Sequence, residues 1–253
     1  MTSATQDSFV VERATTDAMI REAQRLRYAV FVEELGGDGA LVDHDARLER
    51  DRFDPFFDHL LVRDPARDGA VVGVYRVLRD DQAAAAGQFY SEDEYDLTAL
   101  RASGRRLLEL GRSCLHRDYR GGPAMFHLWQ GLADYVLEHE IEILFGVASF
   151  HGTDIAALAE PLSLLHHRHL APEALRVRSR QFQRMDLIDE AALDRRAAML
   201  AVPALIKAYL RLGGTVGEGA FIDHAFNTTD ICLVMDTERM NARQRGLYVR
   251  EGT

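Results

Sequence analysis

The chain has 253 residues, 47% of them hydrophobic, and a formal net charge of −10. This length supports one large domain or two small ones with a substantial core, and the acidic balance argues against general nucleic-acid binding. No window approaches the roughly 20 apolar residues of a membrane span, and the polar N-terminus lacks a signal-peptide pattern. Cys114 and Cys232 lie in apolar, strand-like segments, which is typical of buried thiols in a reducing compartment.

Hydrophobic periodicity divides the first half of the chain into short elements. In chain order the predictions are strand 9–14, helix 16–32, a Gly/Asp loop at 36–45, and paired strands 59–62 and 71–78. Thr16 or Asp17 is suited to cap the helix. A polar connection follows at 80–103, with one short helix near 92–100. Connections of this length often cover a functional site.

The second half continues the alternation of strands and helices. In chain order the predictions are strand 107–115, helix 123–138, strand 142–150, helix 153–169, strand 181–186, helix 203–212, and a hairpin of 220–226 with 231–235. The two strands that flank the crossover helix 123–138 should be parallel. Gly213 and Gly214 are suited to end the helix before them. This order predicts a mixed sheet of the α+β class, in a single domain over residues 1–236 with a polar tail at 237–253.

A short Arg/Gly loop separates the predicted strand 107–115 from the predicted helix 123–138. It contains Arg117, Arg120, Gly121 and Gly122. Free amides at a helix start attract anions, the helix dipole adds to that attraction, and arginine forks match phosphate oxygens. The loop therefore predicts a site for the phosphate of a phosphopantetheine group, on coenzyme A or on a carrier protein. A glycine turn before a helix is also ordinary punctuation in α/β proteins.

Several longer motifs cover most of residues 25–235. They include L-R-Y-A-V-F-V-E-E-L-G at 26–36, E-R-D-R-F-D at 49–54, V-V-G-V-Y-R-V-L at 71–78, F-Y-S-E-D-E-Y-D-L at 89–97, L-E-L-G-R-S-C-L-H-R-D-Y-R at 108–120, L-F-G-V-A-S-F-H-G-T-D at 144–154 and F-N-T-T-D at 226–230. Together they resemble the GNAT acyltransferase fold, and within it the bacterial ornithine–acyl carrier protein N-acyltransferases. A more distant resemblance, to acyl-homoserine-lactone synthases, covers R-x-x-V-F, D-x-F-D and an E-L-x-R segment with Gly111 in place of serine.

The resemblance implies transfer of a 3-hydroxyacyl group from acyl carrier protein to the α-amine of L-ornithine, giving lyso-ornithine lipid. It implies no metal and no separate cofactor, since the donor is acyl-phosphopantetheine on acyl carrier protein. A thioester is already activated, so the protein must position the amine, take its proton and stabilise the oxyanion. We expect a cytoplasmic protein. Because the product is amphiphilic, peripheral contact with the inner membrane is the alternative to a location away from it.

Glu109 is the predicted base, acting directly or through a water, because it lies on the central strand between leucines. The alternative is an ion pair with Arg112 or Arg76. These two arginines are predicted to orient the ornithine carboxylate, and the alternative is pairing with Asp51, Asp54 or Glu109. A buried arginine usually needs a carboxylate, so both descriptions can hold together.

Asp51 and Asp54, together with Glu49, are predicted to recognise the second amine of ornithine, with a solvated loop as the alternative. Arg117, Arg120, Gly121 and Gly122 are predicted to hold the phosphopantetheine phosphate. Arg120 stands where the general GNAT loop has its first glycine. A side chain there crowds coenzyme A, which favours a carrier-protein donor. Arg101, Arg105 and Arg106 have two interpretations. They are docking residues for the acidic carrier protein, or they are ordinary surface arginines.

Three other functions stay open at this point. One is an acyl-homoserine-lactone-type synthase, and another is an N-acyltransferase for a different amino acid. The third is a non-catalytic binding module that associates with a carrier protein or a membrane. The acceptor that is acylated distinguishes the first two, and the absence of turnover identifies the third.

Overall fold

The computed structural model describes residues 9–239. Residues 1–8 and 240–253 lie outside the described part, and with them the polar N-terminus and most of the predicted tail at 237–253. The first residues of that tail, Thr237–Arg239, form a 3-10 turn. Within residues 9–239 no helix has the length and hydropathy needed to cross a membrane.

The strands and helices alternate along the chain. The strands are β1 (Val10–Arg13), β2 (Asp58–Asp64), β3 (Ala70–Arg79), β4 (Tyr95–Asp96), β5 (Leu107–Leu115), β6 (Ile143–His151), β7 (Arg178–Ser179), β8 (Thr215–Val216), β9 (Phe221–Asp223) and β10 (Thr228–Asp236). The α-helices are α1 (Asp17–Arg27), α2 (Asp80–Ala86), α3 (Thr98–Ala102), α4 (Ala124–Glu138), α5 (Ala159–His169), α6 (Arg195–Ala201) and α7 (Ala204–Arg211).

The described residues form two compact units. Unit 1 comprises residues 9–78 and 111–139, and unit 2 comprises residues 79–110 and 140–239. The strand β5 passes from unit 2 into unit 1 at Gly111. The single domain expected over residues 1–236 stays a prediction.

Unit 1 contains the antiparallel strands β1, β2 and β3, with helices α1 and α4. The Thr16 side chain accepts a hydrogen bond from the Met19 amide and so caps α1, as predicted. The buried face of α1 packs its Ala23 and Leu26 into a cluster with Leu61 of β2. After Arg27 the helix widens into a π-helix, Tyr28–Glu34, which extends it beyond the predicted end at residue 32.

Unit 2 is built on the order β5, β6, β10 and β8, with β9 also paired to β10. The β5–β6 pairing is parallel, as the crossover argument predicted, and its register runs from Leu107↔Ile143 to Glu109↔Phe145. Strand β6 pairs antiparallel with β10 along its whole length. A Cβ atom at Gly146 would lie 2.1 Å from the Leu110 carbonyl oxygen, so this close approach of the strands requires glycine.

Several predicted boundaries were wrong for local reasons. The helix expected at 153–169 begins only at Ala159, because residues before it form turns in which Asp154 accepts the amides of Ala156 and Ala157. The strand expected at 181–186 is absent among the described residues, where Gln183 makes a single bridge to Ala220. Two short helices, α2 and α6, were missed, because seven residues are too few to show a clear period.

Both cysteines are buried free thiols, as expected. Burial raises the pKa of Cys114 to about 12 and also raises that of Cys232, so neither is a reactive thiolate near neutral pH.

Candidate active site

A network of three arginines and three carboxylates lies in unit 1. The acidic segment 49–54 supplies the carboxylates of Glu49, Asp51 and Asp54, and the arginines come from three different elements: Arg27 ends α1, Arg76 lies on β3 and Arg112 on β5. The side chains of Arg27 and Glu49 are at most 1% exposed and they are paired with each other. Equal numbers of opposite charges allow this group to be buried.

Asp54 is the best-connected member of this ion network. Its carboxylate accepts hydrogen bonds from Arg27 Nη1 at 2.7 Å, Arg76 Nη1 at 2.7 Å and Gln24 Nε2 at 2.9 Å. Burial opposes its ionisation, but attraction to the two arginines outweighs this and holds the Asp54 pKa well below its usual range. The solvated-loop interpretation of Asp54 is therefore wrong, since the residue is 4% exposed.

Asp51 and Arg112 form the more accessible end of the network. The Asp51 carboxylate accepts a hydrogen bond from each terminal nitrogen of Arg76, at 2.8 and 2.7 Å. Arg112 reaches Glu49 at 3.1 Å and Asp51 at 3.5 Å, with 15% of its side chain exposed against 19% for Asp51. The expected pairing of Arg76 and Arg112 with carboxylates is confirmed, and the predicted contact with ornithine stays a prediction.

The Arg112 backbone has φ of 51°, the left-handed region that residues other than glycine rarely adopt. Side chains alternate in a regular strand, so a left-handed residue inside β5 re-aims the side chains that follow it. Such a conformation costs free energy and persists only where the surroundings hold it. Ion pairs to Glu49 and Asp51 help to hold the Arg112 side chain here.

His59 adjoins the network at Asp54 and is 1% exposed. Its Nε2–H donates to the Asp54 carbonyl oxygen at 3.1 Å, and no described residue forms a hydrogen bond with the buried Nδ1. Burial, reinforced by the charge of Arg27, lowers the pKa of His59 to about 4. The ring is therefore neutral at physiological pH and acts as a structural donor.

We expect the free energy of unfolding to decrease as the pH falls from about 6.5 to about 4. On acidification the unfolded His59 takes up its proton first, because its folded pKa is about 4 against an ordinary value of 6.5. This contribution is complete above pH 6.5 and its loss costs about 3 kcal/mol. Urea unfolding at several pH values measures it. The variant His59→Gln should lose most of this dependence, whereas His224→Gln, at an exposed histidine, should keep it.

The predicted phosphate loop lies in unit 1 between β5 and α4. Gly121 has φ of 76°, so the turn needs a residue without a Cβ atom. Helix α4 starts after Pro123 without a side-chain cap, which leaves its first amides available to an anion. The Arg120 guanidinium donates hydrogen bonds to Glu34, at 2.7 Å, and to the Leu115 carbonyl oxygen. Arg117 is exposed and has no ion pair with any described residue.

Glu109 lies on β5 in unit 2 and is 1% exposed. Its carboxylate accepts the Tyr90 amide at 2.7 Å, the Ser91 amide at 2.6 Å and the Ser91 hydroxyl. Three donors favour the ionised form of a carboxylate. Besides its flanking leucines, the carboxylate therefore has a polar environment, which the sequence did not indicate. Its role as the base stays a prediction.

The arginines predicted to dock a carrier protein each have a carboxylate partner in unit 2. Arg101 pairs with Glu92, Arg105 with Asp236, and Arg106 with Glu140. The pairs of Arg101 and Arg106 include exposed side chains and contribute little to stability. The Arg105–Asp236 pair is more buried, with 19% and 10% of the two side chains exposed. All three pairs leave less net positive charge for a partner. The docking role of these arginines stays a prediction.

Sequence reasoning missed two groups of residues in unit 2. Ser91 lies in the quoted F-Y-S-E-D segment, but nothing in that segment indicates its hydrogen bond to Glu109. Glu94, Asp223 and Asp230 bring three carboxylate oxygens within 4.8 Å of one another. No spacing signal could have found this cluster, because its members come from distant parts of the chain.

Comparison with curated proteins gives full-length matches. The chain is 65% identical over 247 residues to a Rhodobacter capsulatus protein named L-ornithine N(alpha)-acyltransferase, covering 96% of this chain and 95% of that protein. A Brucella abortus protein of the same name is 42% identical over 252 residues, covering 96% of this chain and 90% of that protein.

Fold comparisons agree with these matches. Residues 26–130 match a family described as "Acetyltransferase (GNAT) domain". The solved structure of BjaI, a CoA-dependent acyl-homoserine lactone synthase, has a TM-score of 0.54 and 13% identity, covering 95% of this chain and 88% of that chain. At this identity the match supports the fold alone, which is the predicted α+β GNAT fold. With the full-length relatives, these findings establish that the chain is an acyltransferase and belongs to the L-ornithine N(alpha)-acyltransferase family.

Proposed function

We propose that the protein transfers a 3-hydroxyacyl group from the thioester of acyl carrier protein to the α-amine of L-ornithine, giving lyso-ornithine lipid. The observation that carries this proposal is the 65% identity, over nearly the whole chain, to a protein named L-ornithine N(alpha)-acyltransferase. Identity at this level over the full length supports the same acceptor amine. The choice of donor and product rests on the resemblance and on the phosphate loop.

The reaction needs no covalent intermediate. The ornithine nitrogen attacks the thioester carbonyl, the new C–N bond forms, and the C–S bond breaks to release the carrier thiol. The amine must lose a proton as it attacks, and the leaving thiolate must gain one. We assign the first proton transfer to Glu109, directly or through a water, because it is a buried carboxylate held in one orientation by three donors.

We propose that the accessible end of the ion network recognises the acceptor. Arg112 would orient the ornithine carboxylate, and Asp51 the side-chain amine. Arg76 and Asp54 lie deeper, and besides their predicted part in ornithine recognition Arg76 would fix Asp51 through their ion pair, with Asp54 holding Arg76 in turn. Charge-assisted bonds of this kind are the strong contacts available for an amino acid.

We propose that the phosphopantetheine phosphate binds at the loop of Arg117, Arg120, Gly121 and Gly122. The uncapped start of α4 and the exposed Arg117 guanidinium supply the donors. Arg120 acts differently, since its bonds to Glu34 and Leu115 fix the loop conformation. Its bulk disfavours the adenosine diphosphate of coenzyme A. Acyl carrier protein and L-ornithine are thus the proposed partners, in the cytoplasm and near the inner membrane, with no cofactor or metal.

The test is thiol release from purified 3-hydroxyacyl carrier protein with separate acceptors, each product being identified by mass spectrometry. The acceptors are ornithine, lysine, glutamine, glycine and S-adenosylmethionine, and acyl-coenzyme A replaces the carrier in a parallel set. We expect acyl-ornithine, formed faster from the carrier thioester than from acyl-coenzyme A. Preference for another amino acid would contradict the acceptor assignment, and a lactone product would identify an acyl-homoserine-lactone-type synthase. Absence of turnover with every pair would favour the binding-module alternative.

A further inference from the structure

The Glu109 carboxylate is held at the start of a 3-10 turn, Tyr90–Asp93. The first two amides of the turn, those of Tyr90 and Ser91, point at its two oxygens at 2.7 and 2.6 Å. The Ser91 hydroxyl donates to the same oxygen as the Ser91 amide. Ser91 is 0% exposed, so its hydroxyl does not exchange this bond for one with bulk water.

The turn has supports that do not involve Glu109. The Phe89 amide donates to Glu92 at 2.7 Å, which closes the turn on itself, and Glu92 also pairs with Arg101. The Phe89 ring packs edge-on against Phe145 with centroids 5.0 Å apart. Phe145 is the residue that faces Glu109 in the β5–β6 register. Removing a single donor to Glu109 therefore leaves the turn anchored.

We infer that Ser91 is a positioning residue for the reaction, and that its hydroxyl fixes the orientation and the charged state of Glu109. This inference rests on the proposed role of Glu109 as the base. A base must present a lone pair in a defined direction, and a displacement of the catalytic group by about 1 Å strongly reduces the reaction rate. Unlike the amides of Tyr90 and Ser91, the Ser91 hydroxyl can be removed by a substitution that leaves the backbone unchanged.

Arg101 and Cys232 are titratable groups that feel the Glu109 charge. Arg101 lies close enough for its pKa to be raised mainly by Glu92 and in part by Glu109. Burial keeps the Cys232 thiol neutral, with Glu109 and Glu94 adding to the effect. Arg101 is always protonated and Cys232 stays neutral near physiological pH, so neither changes charge across the acidic limb of the rate profile.

The expected effect of Ser91→Ala is a shift of the acidic limb of the kcat profile to higher pH, by roughly one pH unit. Loss of a donor to the charged form makes the carboxylate take up a proton at higher pH, where it can no longer act as a base. Well above the limb, kcat should stay below the wild-type value, because the carboxylate has lost one of the bonds that orient it, and KM for ornithine should stay unchanged. Ser91→Thr keeps a hydroxyl and should restore the limb toward its wild-type position.

The experiment measures acyl-ornithine formation with saturating ornithine across pH 4–9 in the full-length protein, with Ser103→Ala as the matched control. Ser103 lies in the same connecting segment, and its hydroxyl donates to the Leu100 carbonyl oxygen without contacting Glu109. A limb that moves in Ser91→Ala but not in Ser103→Ala supports the inference. A uniform decrease at every pH, or an unchanged profile, overturns it while the proposed function stands. If the wild-type protein forms no acyl-ornithine, the proposed function itself fails, and the inference fails with it.

Discussion

Replacement of Glu109 by glutamine is expected to lower kcat for acyl transfer by about 10²–10⁴-fold, the range that a positioned base supplies. The amine of ornithine must lose a proton as the C–N bond forms, and an amide cannot accept it. The loss should fall mainly on kcat, because a residue that acts only on the proton in transit contributes little to ground-state binding. Steady-state kinetics with the carrier thioester and ornithine measure both parameters.

Glutamine at this position has a second effect that needs a control. Its NH₂ group would face one of the backbone donors of Tyr90 and Ser91, so the turn loses a hydrogen bond as well as a charge. Glu92→Gln is the matched control, since Glu92 accepts the Phe89 amide and pairs with Arg101 in the same segment. We expect it to retain turnover within a few-fold. Wild-type kcat in Glu109→Gln would show that the base is another residue or that water alone suffices.

Replacement of Asp54 by asparagine is expected to lower the free energy of unfolding by about 3–5 kcal/mol, because it removes one partner of a buried ion network. Two nearly fully buried arginines, Arg27 and Arg76, would each lose the negative charge that they now bond at 2.7 Å, because an amide oxygen can still accept a hydrogen bond but carries no formal charge. Such a loss is a large part of the stability of an ordinary domain. Urea unfolding followed by circular dichroism measures it.

The control for Asp54→Asn is a surface pair. Asp186 bonds Arg184 at 3.1 Å, with 38% and 68% of the two side chains exposed. Asp186→Asn should cost about 1 kcal/mol or less, since solvent screens exposed pairs. An equally small effect at Asp54 would contradict the view that the network stabilises the fold.

The pH dependence of the Asp54 contribution has a defined sign. Its folded pKa lies below the ordinary value of about 3.9, so the unfolded state takes up the proton first on acidification. The contribution is therefore complete above about pH 4 and is lost only at lower pH. The His59 effect occupies the window above it. The pKa values of Glu49 and Asp51 are lowered as well, so comparison of Asp54→Asn with the wild type isolates the Asp54 contribution.

Local sequence signals predicted the framework around the candidate site. The strand β5, the Arg/Gly loop and α4 were all expected, because apolar period, glycine and proline are properties of adjacent residues. The β2–β3 hairpin and the cap at Thr16 follow from the same kind of signal. The parallel β5–β6 pairing followed from the handedness and length of the crossover.

The sequence by itself determined the family, the α+β class and the segments that carry the charged residues, since motifs and periodicity are written locally along the chain. Only the tertiary structure decided the partners of those charges. Asp54 accepts hydrogen bonds from Arg27 of α1 and Arg76 of β3. Glu109 accepts one from Ser91, which lies in a turn eighteen positions away in the chain. A hydrogen bond requires its donor and acceptor to be placed to within a few tenths of an ångström, and here the two groups are remote in sequence. Packing of whole elements fixes those distances, and no pattern of neighbouring residues encodes them.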